Sequence, residues 1–239
     1  MFLKRKVLIH CWGGFGSQLI AFALFLDLKA KYPKKTFCIV FHTGGVTRRT
    51  IEIEEFLNEN EYFLSDDFNP TISTRKKEIF FRRTFKKMIS TFGLILTDYQ
   101  LTKATRVHPW TVALRGHYLY RKISKETLLE ISRLVLSTSY SGETPILFVH
   151  YRLGDLISLQ DKSFIDPLIL EKLLTGLQAN IDLSDSSKVV FGTENPAKAN
   201  ELLMNSKFLK NASYENFNPM ATLQIGAKAS HFVGTNSKL

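Results

Sequence analysis

One pattern near the start of the chain constrains the fold more than any other. Residues 7–10 (VLIH) and 37–41 (FCIVF) are short apolar runs, each of a length typical of a buried strand. Between them lie a glycine-rich turn at 13–16 (GGFG) and an apolar stretch at 17–32 that Pro33 closes. A strand, turn, helix and strand in this order build a parallel sheet. The pattern therefore predicts an α/β protein.

The same alternation returns in the last hundred residues. Three apolar runs predict strands at 146–149, 189–191 and 231–233, and three longer stretches predict helices at 167–179, 196–204 and 220–229. This part therefore predicts a doubly wound α/β half. The chain stops soon after its last predicted strand, where a wound sheet needs another covering helix. We therefore expect this half to be truncated at its C-terminus.

The segment between the two halves is less regular. It predicts a helix at about 51–58, a polar turn at 65–70, and short strands at 94–96 and 112–114. A polar, flexible run at 137–142 (STSYSG) predicts a domain boundary near residue 140. We expect an N-terminal domain over 1–139 and a C-terminal domain over 140–239.

Composition excludes several classes of protein. A chain of 239 residues with 44% hydrophobic and 23% charged residues is neither disordered nor collagen-like. Its two cysteines are too few for a disulfide scaffold, which favours a reducing, cytoplasmic compartment. The longest apolar run has eight residues, too short to span a membrane, and no signal-peptide pattern is present. The net charge of +10 predicts an anionic partner.

Polar residues follow each predicted strand of the second half. They lie at 150–155 (HYRLGD), 192–195 (GTEN) and 234–237 (GTNS). Ligands bind beyond the carboxyl ends of strands in open parallel sheets. A guanidinium, a carboxylate and a hydroxyl at one edge predict a nucleotide-diphosphate site. Taken singly, Arg152 and Asp155 are more typical of a local ion pair at a strand end, and Glu194 before Pro196 is typical of a helix N-terminus.

Four motifs together resemble the inverting α-1,2-fucosyltransferases, glycosyltransferase family 11. Residues 13–18 (GGFGSQ) are similar to the family's G-G-L-G-N-Q loop, and 150–155 (HYRLGD) to H-x-R-R-G-D. Residues 191–194 (FGTE) lie where the family has F-S-D-D, and 231–237 (HFVGTNS) resemble H-x-I-x-A-N-S. Order and spacing agree over nearly the whole chain. The resemblance implies a GT-B-like fold of two Rossmann-like halves.

The resemblance also implies a role for each matched residue. Arg152 would hold the β-phosphate of GDP-fucose. Transfer also needs a general base for the acceptor hydroxyl, for which Asp155 is the candidate; the alternative role of Asp155 is to orient Arg152. His150 and Glu194 would contact the guanosine, and the Asn236–Ser237 turn would bind phosphate. Three residues of the first motif would shape the acceptor side of the site: Gly14, Gly16 and Gln18. The family needs no cofactor and no metal for transfer, and a cationic clamp would replace the metal.

The chain departs from the family at three motif positions. Leu153 replaces the second arginine, Ser17 the asparagine, and Thr193 the first acid. These departures keep open a different nucleotide-sugar donor on the same fold. A non-catalytic nucleotide- or membrane-binding remnant is a further alternative, since the covering helix expected after the third motif is missing.

A basic, aromatic segment at 75–92 (RKKEIFFRRTFKKMISTF) predicts an amphipathic helix. Such a helix would dock peripherally on the anionic inner face of a membrane. The alternative is that its aromatic side packs on the protein core and its charged side faces solvent. Nucleic acid is not expected, because no reading motif accompanies the charge. Residues 13–16 lack the third glycine of a dinucleotide fingerprint.

The imidazoles and thiols near the first two predicted strands are His10, Cys11, Cys38 and His42. Their spacing is not that of a zinc site, and we interpret them as buried strand residues. The sequence therefore predicts a metal-independent enzyme that transfers fucose from GDP-fucose. The expected acceptor is a galactose-type hydroxyl of a surface polysaccharide or lipopolysaccharide, free or lipid-linked.

Overall fold

The structure is a computed structural model of all 239 residues. It describes ten ranges of the chain: 6–44, 50–65, 94–97, 107–118, 121–137, 144–153, 166–178, 181, 189–204 and 212–234. The chain divides into two compact units, Met1–Leu134 and Val135–Leu239. The predicted boundary between residues 139 and 140 lies outside the described residues. The basic segment at 75–92 lies outside them as well.

The first unit contains a five-stranded parallel sheet. Its strands are β1 (Lys6–Trp12), β2 (Thr36–His42), β3 (Tyr62–Ser65), β4 (Ile95–Thr97) and β5 (Ala113–Arg115). They lie in the order β3-β2-β1-β5-β4, and every pairing is parallel. The chain therefore winds from β1 outward through β2 and β3, then crosses back to build the other side. The point at which the winding reverses lies between β1 and β5.

Helix α1 (Phe15–Lys31) covers one face of this sheet. It carries apolar residues on all sides, among them Phe22, Phe25 and Leu28, and all three are buried. Such a helix is stable only when it is packed inside a protein. It ends at Tyr32 because Pro33 cannot continue it. A second helix, α2 (Lys125–Ser137), follows later in the chain.

The second unit contains a four-stranded parallel sheet. Its strands are β6 (Leu147–His150), β7 (Val189–Gly192), β8 (Ser213–Glu215) and β9 (His231–Gly234). Their order is β8-β7-β6-β9, so the winding reverses between β6 and β9. In the described part of this unit, three helices lie between the strands: α3 (Pro167–Gln178), α4 (Pro196–Leu203) and α5 (Pro219–Lys228).

The helices of the second unit cover both faces of its sheet. Leu147 and Val149 on β6 pack in one buried cluster with Leu170 and Leu174 of α3 and Leu203 of α4. Phe148 points to the other face, because successive side chains of a strand alternate. There a methyl group added to Gly226 of α5 would lie 3.5 Å from Phe148. The predicted class, an α/β chain with two parallel Rossmann-like halves, is confirmed.

Several elements differ from the sequence prediction. The helix predicted at about 51–58 is wrong, because the structure has only a short 3-10 turn, Glu54–Phe56, within this segment. Two short strands, β3 and β8, were not predicted, and neither was α2. Within the described residues no helix is both long and apolar enough to cross a membrane.

Candidate functional site

The carboxyl ends of the second sheet's strands form one row. Glu215, Gly192, His150 and Gly234 are register partners along β8, β7, β6 and β9. His150 therefore stands at the point where the winding reverses, with a glycine on each neighbouring strand. Ligands of doubly wound proteins bind in the crevice at such a reversal. The geometry makes this edge the candidate binding site of the second unit.

Arg152 is positioned by the two residues that flank it. Val149, Tyr151 and Leu153 all belong to the buried cluster beneath α3 and α4, and both Tyr151 and Leu153 are fully buried. Because alternate side chains of an extended segment point to opposite sides, Arg152 lies on the side of His150. The backbone N–H of Tyr151 donates to the carbonyl oxygen of Gly192 at 2.9 Å. The half-buried guanidinium therefore extends from a segment that is fixed on both sides.

Glu194 joins the loops that follow β6 and β7. Its Oε2 accepts a hydrogen bond from the backbone N–H of Leu153, with 3.1 Å between the two heavy atoms. The residue itself is largely exposed. Glu194 is not the cap of α4, because Asn195 fills that position and its Oδ1 accepts from the backbone N–H of Lys198 at 3.0 Å. Glu194 directly precedes this cap, so it does lie at a helix N-terminus, as the alternative expected, and it also holds the loop after β6 through Leu153.

His150 is buried, with 8% of its surface exposed. Burial lowers the pKa of its imidazole; the Glu194 carboxylate opposes this shift, and the Arg152 guanidinium reinforces it. His150 thus lies close enough to both Glu194 and Arg152 to be influenced by their charges. At neutral pH the imidazole is uncharged, so one ring nitrogen donates and the other accepts. The structure brings together three residues predicted from two motifs: His150 and Arg152 from the first, and Glu194 from the second.

The other predicted residues of this edge are not described by the structure. Asp155, Asn236 and Ser237 lie outside the described residues, and Gly234 is the last described residue of the third motif. Leu153, which replaces the family's second arginine, is buried in the core cluster. A hydrophobic side chain thus occupies the position of the second guanidinium.

The glycine-rich turn of the first unit joins β1 to α1. Gly13 has a φ of +113°, and a methyl group added there would lie 2.8 Å from Oγ of Ser17, so glycine is required. Gly14 occupies the N-cap position of α1, and its carbonyl oxygen accepts from the backbone N–H of Gln18. Gly16 lies within the first turn of the helix.

Gln18 is buried and positions a loop. Its Nε2 donates to the carbonyl oxygen of Thr50 at 2.8 Å, and its Oε1 accepts from the backbone N–H of Glu52 at 2.8 Å. The side-chain amide of Gln18 therefore satisfies the backbone carbonyl of Thr50 and the backbone N–H of Glu52, as a neighbouring strand would do. The roles predicted for Gly14, Gly16 and Gln18 toward a sugar stay predictions.

A cluster of rings that was not predicted from the sequence lies at the carboxyl end of the first sheet. Nδ1 of His10 lies 2.8 Å from Nε2 of His42, and the indole of Trp12 stacks on His42 with 4.3 Å between ring centroids. Burial of His10 and the neighbouring charges of Arg115 and His42 lower the pKa of His10 to about 4. The buried-strand interpretation holds for His10, whereas His42 is half-buried. No group of three or more potential metal ligands occurs in the described part of the chain.

Comparisons with known proteins define no family. No protein-family model matches the chain, and no curated protein matches it significantly. Among solved structures, E. coli heptosyltransferase WaaC with ADP aligns over 98% of this chain and 82% of its own, with 12% identity and a TM-score of 0.45. WaaC with ADP-2-deoxy-2-fluoro heptose aligns over 98% and 83%, with 11% identity and a TM-score of 0.44. These values are too low to transfer the ligands or activity of that enzyme to this chain.

Proposed function

We propose that the chain is a glycosyltransferase that binds a nucleotide-sugar donor at the carboxyl edge of the second sheet. The observation that carries this proposal is the position of Arg152. It extends from a segment anchored by Tyr151 and Leu153, beside His150 and Glu194, at the reversal of the winding. A fixed guanidinium at such a point matches a diphosphate, which it binds through two parallel hydrogen bonds.

Glycosyl transfer breaks the bond between the anomeric carbon and a diphosphate oxygen. Negative charge develops on the diphosphate, and a fixed cation stabilises that charge. A single well-placed donor is worth roughly 3–4 kcal/mol in comparable sites. The neutral His150 supplies one donor and one acceptor for the nucleoside, and Glu194 supplies a carboxylate for a base or ribose N–H or O–H.

The donor that we propose is GDP-fucose, and transfer inverts the anomeric configuration. This choice rests on the four motifs that resemble the α-1,2-fucosyltransferases. The acceptor is a galactose-type hydroxyl of a surface polysaccharide or lipopolysaccharide. Its oxygen bonds to the anomeric carbon, and its proton passes to Asp155 as the proposed general base. The reaction needs no metal and takes place at the inner face of the membrane, where the basic segment at 75–92 would contact anionic lipid.

The buried Leu153 favours a second candidate, in which the same edge binds another nucleotide sugar. The family's second guanidinium has no counterpart here, so the diphosphate is held by fewer charges. A donor with a different base or sugar would then compensate through contacts elsewhere.

A panel of nucleotides separates the two candidates. We expect GDP to raise the Tm of the full chain more than UDP, ADP or inorganic phosphate at equal concentration. GDP-fucose should then lose fucose to galactose-containing acceptors in the absence of added metal. Preferential stabilisation by UDP or ADP would favour the second candidate. No stabilisation by any of them would contradict the nucleotide site.

A further inference from the structure

The carboxyl end of the first sheet carries a second cluster of polar side chains. Trp12 and His42 are register partners on β1 and β2, and His10 and Arg115 are register partners on β1 and β5. Register partners in a sheet point to the same face. That face is opposite α1, because Cys11 lies between His10 and Trp12 and points its sulfur toward Ser17 of α1. Four polar or aromatic side chains thus share one edge of one face.

This edge also lies where the winding of a sheet reverses. The first sheet reverses between β1 and β5, so His10 and Arg115 stand on the two sides of the reversal. Because ligands of doubly wound sheets bind in the crevice where the winding reverses, a ligand crevice is expected here as well.

The rings are arranged so that Trp12 presents one face outward. His10 and His42 share a hydrogen bond, and their planes differ by 18°, so they form one nearly flat pair. Trp12 stacks on this pair at 4.3 Å from His42 and 5.7 Å from His10. Both imidazoles must lie on the same side of the indole, because two rings on opposite sides could not be hydrogen-bonded. The half-buried indole therefore has its second face turned away from the pair.

The backbone around Arg115 is held in a strained form. Tyr118, three residues after Arg115, has a φ of 57° in the left-handed region. Its hydroxyl lies 2.7 Å from the carbonyl oxygen of His10 and 2.9 Å from that of Leu114. These contacts fix the loop after β5 against β1. Strain of this kind concentrates at ligand sites.

Charge decides which ligand suits the edge. Arg115 is exposed, and within the described part of the chain it forms no ion pair. The titratable groups that face it on this edge are the imidazoles of His10 and His42. The edge therefore combines a flat apolar ring, a hydrogen-bonded pair of imidazoles and a guanidinium that has no carboxylate partner among the described residues.

We propose that this edge binds a sugar that carries a carboxylate, such as a uronic acid unit of a polysaccharide. The apolar C–H face of the pyranose lies on Trp12, its hydroxyls bond to the imidazole pair, and Arg115 holds the carboxylate through two hydrogen bonds. That this sugar belongs to the acceptor rests on the proposed function, whereas its binding does not.

The test uses the fluorescence of Trp12. The chain has two tryptophans, so Trp110→Phe leaves Trp12 as the sole reporter. In this background we expect methyl galacturonide to change the emission saturably at millimolar concentration, and methyl galactoside to bind about tenfold more weakly. Arg115→Gln should abolish that preference. Arg133→Gln removes an exposed charge on α2 and should leave it intact.

Three results would overturn the inference: no saturable change with the acidic sugar, equal affinity for both sugars, or an equal response to inorganic phosphate alone. Circular dichroism of Arg115→Gln checks that the exposed substitution leaves the fold intact. GDP binding is measured on the same proteins. Loss of sugar binding with GDP binding retained contradicts only this inference. Sugar binding without GDP binding contradicts only the nucleotide proposal.

Discussion

The backbone amide of Leu153 donates a hydrogen bond to the carboxylate of Glu194, with 3.1 Å between nitrogen and Oε2. This contact joins the loop that carries Arg152 to the loop that follows β7. It explains how a largely exposed acidic residue can influence the position of a guanidinium that it does not need to touch.

Replacing Glu194 tests this link. Glu194→Ala leaves the Leu153 amide without its acceptor, so we expect a loss of about 1 kcal/mol in the free energy of unfolding and about tenfold weaker GDP binding. Glu194→Gln keeps an acceptor oxygen and should recover most of the stability. Urea denaturation and calorimetric titration measure both effects. Glu201→Ala, an exposed change on α4, serves as the control. Equal behaviour of the two alanine variants would contradict the link.

Two glycines of the second unit should respond to alanine in opposite directions. A methyl group at Gly192 would lie 2.6 Å from Cζ of Phe148, and we expect Gly192→Ala to destabilise the protein by about 1–3 kcal/mol. Gly176 lies in α3 with nothing within 4 Å of an added methyl group, so Gly176→Ala should stabilise by about 0.5–1 kcal/mol. Denaturant unfolding of the two variants decides the signs. A stabilising change at Gly192 would contradict the packing described here.

Asp27 is a buried carboxylate of α1 with three hydrogen-bonding or ionic partners. Its carboxylate accepts hydrogen bonds from Oγ of Ser124 at 2.7 Å and Oγ1 of Thr127 at 2.6 Å, and it pairs with Nη2 of Arg121 at 3.2 Å. Asp27→Ala leaves a partly buried guanidinium without its partner, and we expect a loss of about 3 kcal/mol. Lys29→Ala on the same helix breaks a more exposed pair with Glu61, and should cost less than about 1 kcal/mol. Similar losses in chemical denaturation would refute this ranking.

The lowered pKa of His10 makes the stability depend on pH. Its pKa falls from an ordinary 6.5 to about 4 in the folded chain, so between these values the unfolded chain binds more protons. The stabilising contribution is complete above pH 6.5 and is lost as the pH falls toward 4. We expect it to amount to about 1–2 kcal/mol after solvent screening. His10→Gln removes the titrating group, so its unfolding free energy should fall less between pH 7 and pH 4.5. Parallel pH profiles would contradict the assignment.

The strands that were predicted correctly are those with buried, apolar side chains. Residues 37–41 are such a run and form β2, which pairs with β1. Residues 146–149 are another and overlap β6, which pairs with β7. β8 was missed because Ser213–Glu215 is a three-residue edge strand with polar residues. α2 was not predicted although apolar residues recur at helical spacing along it, as at Leu128, Ile131 and Val135. Hydrophobic periodicity arises from buried side chains, so a short polar edge strand such as β8 has almost no apolar pattern to predict it from.

In the candidate site, too, some residues could be predicted from the sequence and others could not. Arg152, Glu194 and His150 could be found from the sequence because polar residues directly follow apolar strands. The order of the strands in a sheet cannot be predicted from local sequence. The points beside His150 and His10 at which the winding reverses were therefore found only from the structure. The ring cluster was missed for a related reason. His10 and His42 are 32 positions apart and meet only because β1 and β2 pair in register.

The central claim is that Arg152 binds the diphosphate of a nucleotide sugar, and calorimetric titration of GDP into the full chain tests it most directly. We predict saturable binding by the wild type and at least tenfold weaker binding by Arg152→Ala. Arg152→Lys should be intermediate, because it keeps the charge but loses the planar fork. Arg133→Ala should bind GDP like the wild type. Equal affinity of the wild type and Arg152→Ala, or no binding by either, would contradict the account.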